Sequence, residues 1–177
     1  AFVEHHAPRP RGFAVLAVPA FAQPSRGVPL TDDEFRQIGE QGFGLRGNSR
    51  VWSTEWFNGE LLFGTAQNFL CIVRSGAASN GSENPELPVD CADNLLDNDF
   101  RARIYAYDPV SGEVKLRFVS QTVTGLLSDG TTVNVARDLG YRTMAAFVEP
   151  DGTKALYVGT FTSLDLPQPP ARLLRSV

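Results

Sequence analysis

A hairpin that is spelled out twice constrains this chain more than any other feature. Arg50-Val-Trp-Ser-Thr-Glu-Trp-Phe57 and Glu60-Leu-Leu-Phe-Gly-Thr65 flank the pair Asn58-Gly59. That dipeptide takes the positive φ angles of a tight two-residue β-turn. Ninety-five residues after Thr65 the second copy closes: Arg142-Thr-Met-Ala-Ala-Phe147 runs through Pro150-Asp-Gly152 into Ala155-Leu-Tyr-Val-Gly-Thr160. Each hairpin ends in Gly-Thr. A supersecondary unit that recurs at a long fixed spacing implies a repeat architecture.

Beyond the Gly-Thr marker the two units differ in length. Thr65 to Arg103 spans 38 positions and Thr160 to Arg172 spans 12. The difference of 26 matches a stretch rich in Ser, Gly, Asn, Pro, Asp and Glu over 75–99. The first unit therefore reads as the second plus a polar insertion, a long loop outside the repeat that can be shortened. Arg103-Ile-Tyr-Ala-Tyr107 and Arg172-Leu-Leu-Arg-Ser176 then fill one shared third-strand slot.

The remaining elements follow from turn residues and period. Phe69-Leu-Cys-Ile-Val73 continues the apolar run, so Cys71 ends a core-like strand. Asp108-Pro-Val-Ser-Gly112 has the composition of a turn, and Val114-Lys-Leu-Arg-Phe118 alternates with period two. Residues 121–141 hold a small hairpin around Ser128-Asp-Gly130. Leu164 to Ala171 contains three prolines and is a loop. Upstream, Thr31-Asp-Asp-Glu34 has capping-box form and starts either a short helix over 32–39 or the last strand of a preceding repeat. The organisation is an N-terminal segment over 1–30, a lead-in with a Gly-rich loop over 31–49, a first unit over 50–120, and a connector with an incomplete second unit over 121–177.

Sequential antiparallel four-stranded units with a repeating inner hairpin are the pattern of β-propeller blades. Phe57-Asn-Gly59, Leu61-Leu-Phe-Gly-Thr65 with Asn68, and Ile104-Tyr-Ala-Tyr-Asp-Pro109 with Ser111-Gly-Glu113 resemble the blade pattern of bacterial kelch-like and related propeller proteins. The resemblance covers about residues 40–177. The chain has neither the Gly-Gly pair of a standard kelch repeat nor the Trp-Asp of a WD repeat, so no subfamily is assigned. The expectation is an all-β chain: a partial propeller of one complete four-stranded blade plus the start of a second. A small β-sandwich or barrel is the alternative. Gly64 and Gly159 are expected where backbones approach closely, and Trp52 and Trp56 in packing between blades.

Composition narrows the function classes. With 14 Arg, 2 Lys and 20 acidic residues the net charge is −4. A nucleic-acid surface needs a basic patch instead. No apolar run reaches the roughly 20 residues of a membrane-spanning helix. Arg9 and Arg11, then Phe13-Ala-Val-Leu-Ala-Val-Pro-Ala-Phe21, resemble the remains of a secretory signal. Ala1 in place of Met and the apolar stretch at Val177 make the expected chain a fragment, whose partners are the remaining blades of the same protein and a ligand or protein yet to be defined. A secreted or periplasmic location follows from the signal-like segment.

Candidate site residues are few. Propeller loops that lead into the inner strand and leave the second strand carry ligands, and here those loops contain Arg50, Asn68, Asp138 and Arg142. Structural bonding to neighbouring carbonyls is the competing role for the arginines. Cys71 and Cys91 are the only cysteines. In an exported protein a disulfide between them stabilises by about 3 kcal/mol. The oxygen-rich set Asp90, Asp93, Asn94, Asp97, Asn98 and Asp99 departs from the EF-hand spacing and reads as a solvated acidic loop rather than a metal site. His5 and His6 are the sole histidines and lack a third ligand or a nucleophile partner. Asn80-Gly-Ser82 fits the glycosylation triplet. The leading expectation is a non-catalytic binding scaffold with no cofactor. The rival is part of a propeller-type hydrolase, lyase or oxidoreductase whose active site lies mostly in other blades.

Overall fold

Asn58 and Gly59 do adopt the left-handed angles of a tight turn, with φ of 50° and 85°. The computed structural model describes residues 31–79, 90–163 and 166–176. The signal-like segment, His5, His6 and the Asn80 triplet lie outside them. The chain divides into two compact units, residues 1–36 and 37–177. In the first, the capping box forms as expected: the Thr31 amide donates to Glu34 Oε2 at 2.7 Å. The turn it starts is a three-residue 3₁₀ turn, Asp32–Glu34, and not a helix to residue 39.

The second unit is built from antiparallel β-strands in three sheets, none closed. The first sheet is a meander of four strands: β1 (Asn48–Phe57), β2 (Glu60–Gln67), β3 (Arg103–Tyr107) and β4 (Val114–Val119). A separate hairpin, β5 (Thr122–Leu126) with β6 (Thr132–Ala136), turns at Asp129-Gly130. The second large sheet has three strands, β7 (Gly140–Val148), β8 (Lys154–Phe161) and β9 (Leu173–Ser176). Leu166 to Arg172 is irregular, and Arg137 holds it by donating to the carbonyl of Pro170 at 3.0 Å.

The two large sheets repeat each other residue for residue. Ser53 faces Gly64 and Thr143 faces Gly159. Gly64 faces Ile104 and Gly159 faces Leu173, so Arg103 and Arg172 share one slot, as the spacing predicts. The register slips between Val51 and Ser53 and again between Tyr141 and Thr143, a bulge repeated in both units. The bulged residues are Trp52 and Arg142. In this alignment Arg142 corresponds to Trp52, and Arg50 corresponds to Gly140, not to Arg142.

The sheets pack face to face. Leu62, Ala102, Ile104 and Ala106 of the first meet Tyr141, Leu156 and Val158 of the second, with Phe57, Met144 and Leu174 at the margin. Gly64 makes the close approach expected of it: an added Cβ would lie 2.6 Å from Tyr141 Cβ. Beside it the Ser53 hydroxyl donates to the Tyr141 carbonyl at 2.7 Å. On the other face of the first sheet, Phe43 from the lead-in segment stacks on Phe63 and Tyr105, with centroids 4.8 and 4.7 Å away.

One expected strand is a helix. Phe69–Ser79 is α1, so Cys71 sits in a helix rather than at a strand end. Asn68, at φ of 50°, breaks β2, and its carbonyl accepts the Cys71 amide at 2.9 Å. A five-residue apolar run carries no period that separates buried strand from buried helix. The described end of the polar insertion also packs on the unit. Leu95, Leu96 and Cys91 pack with Cys71, Ile72, Phe100, Leu139 and Leu166 in a second core.

Candidate functional site

At the end where β1 and β7 begin and β2 and β8 finish, three aromatic rings meet. Trp52 lies edge-on to Phe69 and to Phe161, with centroids 4.9 and 5.3 Å away, and Phe69 to Phe161 is 5.6 Å. Edge-to-face contacts of this kind set the electron-poor rim of one ring against the face of another. Each ring comes from a different element: the β1 bulge, the start of α1 and the end of β8. Gly140 makes room, since a Cβ there would stand 2.2 Å from the Trp52 ring. All three rings are half-buried, and Phe69 and Phe161 also pack against the second core.

Two exposed arginines lie over this cluster. The Arg50 guanidinium is 5.6 Å from the Phe69 centroid. That of Arg142 is 5.8 Å from both Trp52 and Phe161, within cation–π range. Among the described residues no carboxylate pairs with either arginine. Seven others, Arg46, Arg101, Arg103, Arg117, Arg137, Arg172 and Arg175, do form ion pairs. Arg50 and Arg142 are thus brought together on one aromatic floor, although they occupy different slots of the repeat.

Asn68 and Asp138 do not join them as open groups. The Asn68 amide donates to the Asp99 carbonyl at 3.0 Å, fixing the insertion against the sheet. Asp138 is fully buried, at 0% exposure. Its carboxylate takes a bidentate pair from Arg172 at 3.2 and 2.8 Å and a hydrogen bond from Ser120 at 3.1 Å. Its backbone carbonyl accepts the Ala102 amide at 3.0 Å. Asp138 therefore fastens the first sheet to the second and is unavailable to a ligand. Tyr141 beside it has its hydroxyl ionisation pushed far up, first by burial and then by the Asp138 charge.

The matching slot in the first sheet holds Asn48. Its amide donates to Tyr105 Oη at 2.9 Å and to the Gly42 carbonyl at 3.0 Å, and its Oδ1 accepts from Thr65 at 3.1 Å. Arg103, which matches Arg172, meets Asp99 instead at 2.9 Å. Burial of Asp99 opposes its ionisation, but hydrogen bonds from Arg101 and Arg103 outweigh that and lower its pKa to about 2.

Cys71 and Cys91 form the disulfide, with Cα atoms 5.6 Å apart. It ties α1 to the insertion. Several of the oxygen-rich residues of the insertion have partners. Asp90 pairs with Arg46 at 2.7 Å, Asn94 accepts the Leu96 amide at 3.1 Å, and Asn98 donates to the Leu95 carbonyl at 2.9 Å. A separate groove of about 500 Å³ opens between the sheets at the hairpin-turn end, lined by Phe57, Leu62, Ile104, Phe118, Leu156 and Leu174. No helix among the described residues is long and apolar enough to cross a membrane.

Comparison with protein-family models, with curated proteins and with solved structures returns no match for this chain.

Proposed function

We propose that the chain is a segment of a kelch-like β-propeller that serves as a non-catalytic binding scaffold in a secreted or periplasmic protein. The carrying observation is that the outward face of the second sheet copies the inward face of the first. Phe57, Leu62 and Ile104 pack into the seam. Their counterparts by register are Phe147, Tyr157 and Leu173, and Phe147 and Leu173 are 57% and 68% exposed. Ser53 bonds across the seam to Tyr141, whereas its counterpart Thr143 stands on the exposed face. A face that repeats the apolar and donor groups of a packed face fits another sheet of the same kind. The free edge of β9 and the adjoining groove are the seat of a fourth strand that would complete the second sheet and cover Phe118. The disulfide supports an oxidising location.

Light scattering across a concentration series tests the reading. Exposed apolar sheet faces and unpaired edges promote association. The 177-residue chain is expected to self-associate, and Phe147→Lys combined with Leu173→Lys to reduce it. A monomer at every concentration, unchanged by these substitutions, would remove the case for further blades.

A further inference from the structure

We propose that Arg50 and Arg142 form an oxyanion-binding site on the Trp52–Phe69–Phe161 floor, and that the scaffold's ligand presents a phosphate or carboxylate group there. This rests on the binding-scaffold reading and names the chemistry of its ligand.

Three independent observations converge. The first is charge. Two guanidiniums lie over the same ring cluster, and among the described residues no acid compensates them, in a chain whose net charge is −4. Elsewhere an arginine reaches a carboxylate in seven cases. An anion bound over that cluster would supply the counter-charge that the described residues do not.

The second is donor geometry. A guanidinium carries five N–H groups in a planar fork suited to two oxygens at once. Both guanidiniums lie 5.6 to 5.8 Å from ring centroids, and both side chains are exposed. Among the described residues neither side chain donates to a protein acceptor. The apolar floor thins the water around the cations, so a charge-assisted bond formed there is stronger than one at an open surface.

The third is construction. Arg142 is the bulged residue of β7 and Trp52 the bulged residue of β1. Bulges re-aim side chains, and here they aim equivalent residues of two repeats at each other. Gly140 leaves the space that Trp52 fills. The packing of the two sheets needs neither arginine: Asp138, Ser53 and the apolar seam join them.

The test uses Trp52 as reporter. Trp56→Phe removes the other tryptophan, which is 54% exposed. Inorganic phosphate and acetate are then titrated separately, with sodium chloride holding ionic strength constant. A saturable change in Trp52 fluorescence is expected. Saturation with phosphate assigns a phosphate-bearing ligand, and saturation with acetate alone a carboxylate-bearing one. Arg142→Gln and Arg50→Gln should each weaken binding about tenfold or more, the scale of a lost charge-assisted bond. Arg142→Lys should recover part of the loss, because it restores charge without the fork. Arg46→Gln should leave binding unchanged. Circular dichroism melts verify that each variant is folded. A response that never saturates, or that stays at the wild-type level in both Arg50→Gln and Arg142→Gln, overturns the proposal. Phosphate and acetate both inert, with self-association in scattering, would remove the anion site and leave the scaffold. A saturable site on a strictly monomeric chain would do the reverse.

Discussion

The two large sheets share a backbone plan and differ in how they are held. In the second, the buried carboxylate of Asp138 sits at the strand start and receives Arg172 directly. In the first, the same slot is the neutral Asn48, and the equivalent Arg103 needs an acid from elsewhere. Asp99, at the end of the insertion, supplies it. The insertion is also tied to α1 by a disulfide and adds Cys91, Leu95 and Leu96 to a second apolar cluster. The difference teaches that a repeat conserves strand register while the polar anchor at a given slot can be exchanged, provided another segment brings the missing charge.

The sharpest way to break this comparison is at the seam. Asp138→Ala leaves Arg172 without its partner and is expected to cost about 3–5 kcal/mol, the scale for breaking a buried pair from one side. Asn48→Ala in the matching slot should cost less, about 1–3 kcal/mol, since it frees neutral groups only. Urea unfolding of the two variants measures both. Equal losses would mean that the charged anchor holds the seam no better than the amide.

Removing the disulfide with Cys71→Ser and Cys91→Ser should cost about 3 kcal/mol for a loop of this length. Hydrogen exchange should rise in α1 and at the end of β2, and much less in β7–β9. A uniform rise across both sheets would show that the insertion braces the whole unit rather than its own sheet.

Phe57 and Phe147 compare one residue in one slot under two burials. Phe57→Ala, half-buried in the seam, should cost about 1–2 kcal/mol, below the range for a fully buried ring. Phe147→Ala should change monomer stability by about 0.5 kcal/mol or less, as surface changes do, while lowering self-association. Unfolding at low concentration, paired with scattering, separates the two effects.

The smallest effect is titration of the insertion's acid. Asp99 has its pKa lowered from 3.8 to about 2 in the folded chain. A depressed carboxylate stabilises above its unfolded pKa, and the contribution fades as pH falls from about 4 toward 2. With partial exposure screening the pair, about 1 kcal/mol is expected. Comparing wild type with Asp99→Asn at pH 6 and pH 2.5 should show a gap that narrows in acid. A gap independent of pH would assign the Asp99 effect to packing.

Much of the strand plan was legible because hairpins announce themselves locally. Asn58-Gly59, Asp108 to Gly112 and Ser128-Asp-Gly130 each mark a turn the structure contains, and the Gly-Thr marker aligned Arg103 with Arg172. The helix at Phe69 was not legible, because a short apolar run suits either element and Asn68, though a residue that tolerates a left-handed angle, does not say which element follows. Two of the four candidate ligand residues face inward for a reason invisible in sequence: Asp138 and Asn68 are consumed by partners 34 and 31 residues away. The sequence places Arg50 and Arg142 in loops, whereas both lie within strands, β1 and β7. The rings that unite them, and the bulge that pairs Arg142 with Trp52, appear only once the register is known.

The seam has a temporal consequence. Within each sheet, successive strands are neighbours in the chain, whereas Ser53 and the Tyr141 carbonyl it bonds are 88 residues apart. Closing short loops costs less chain entropy than closing long ones. The first sheet can therefore zip as soon as its own residues are made, and docking awaits synthesis of β7 and β8. During that interval Leu62, Ile104 and Phe57 are uncovered. An emerging chain would present to chaperones the same surface that the finished one buries, and a pause in translation after residue 120 would lengthen that exposure.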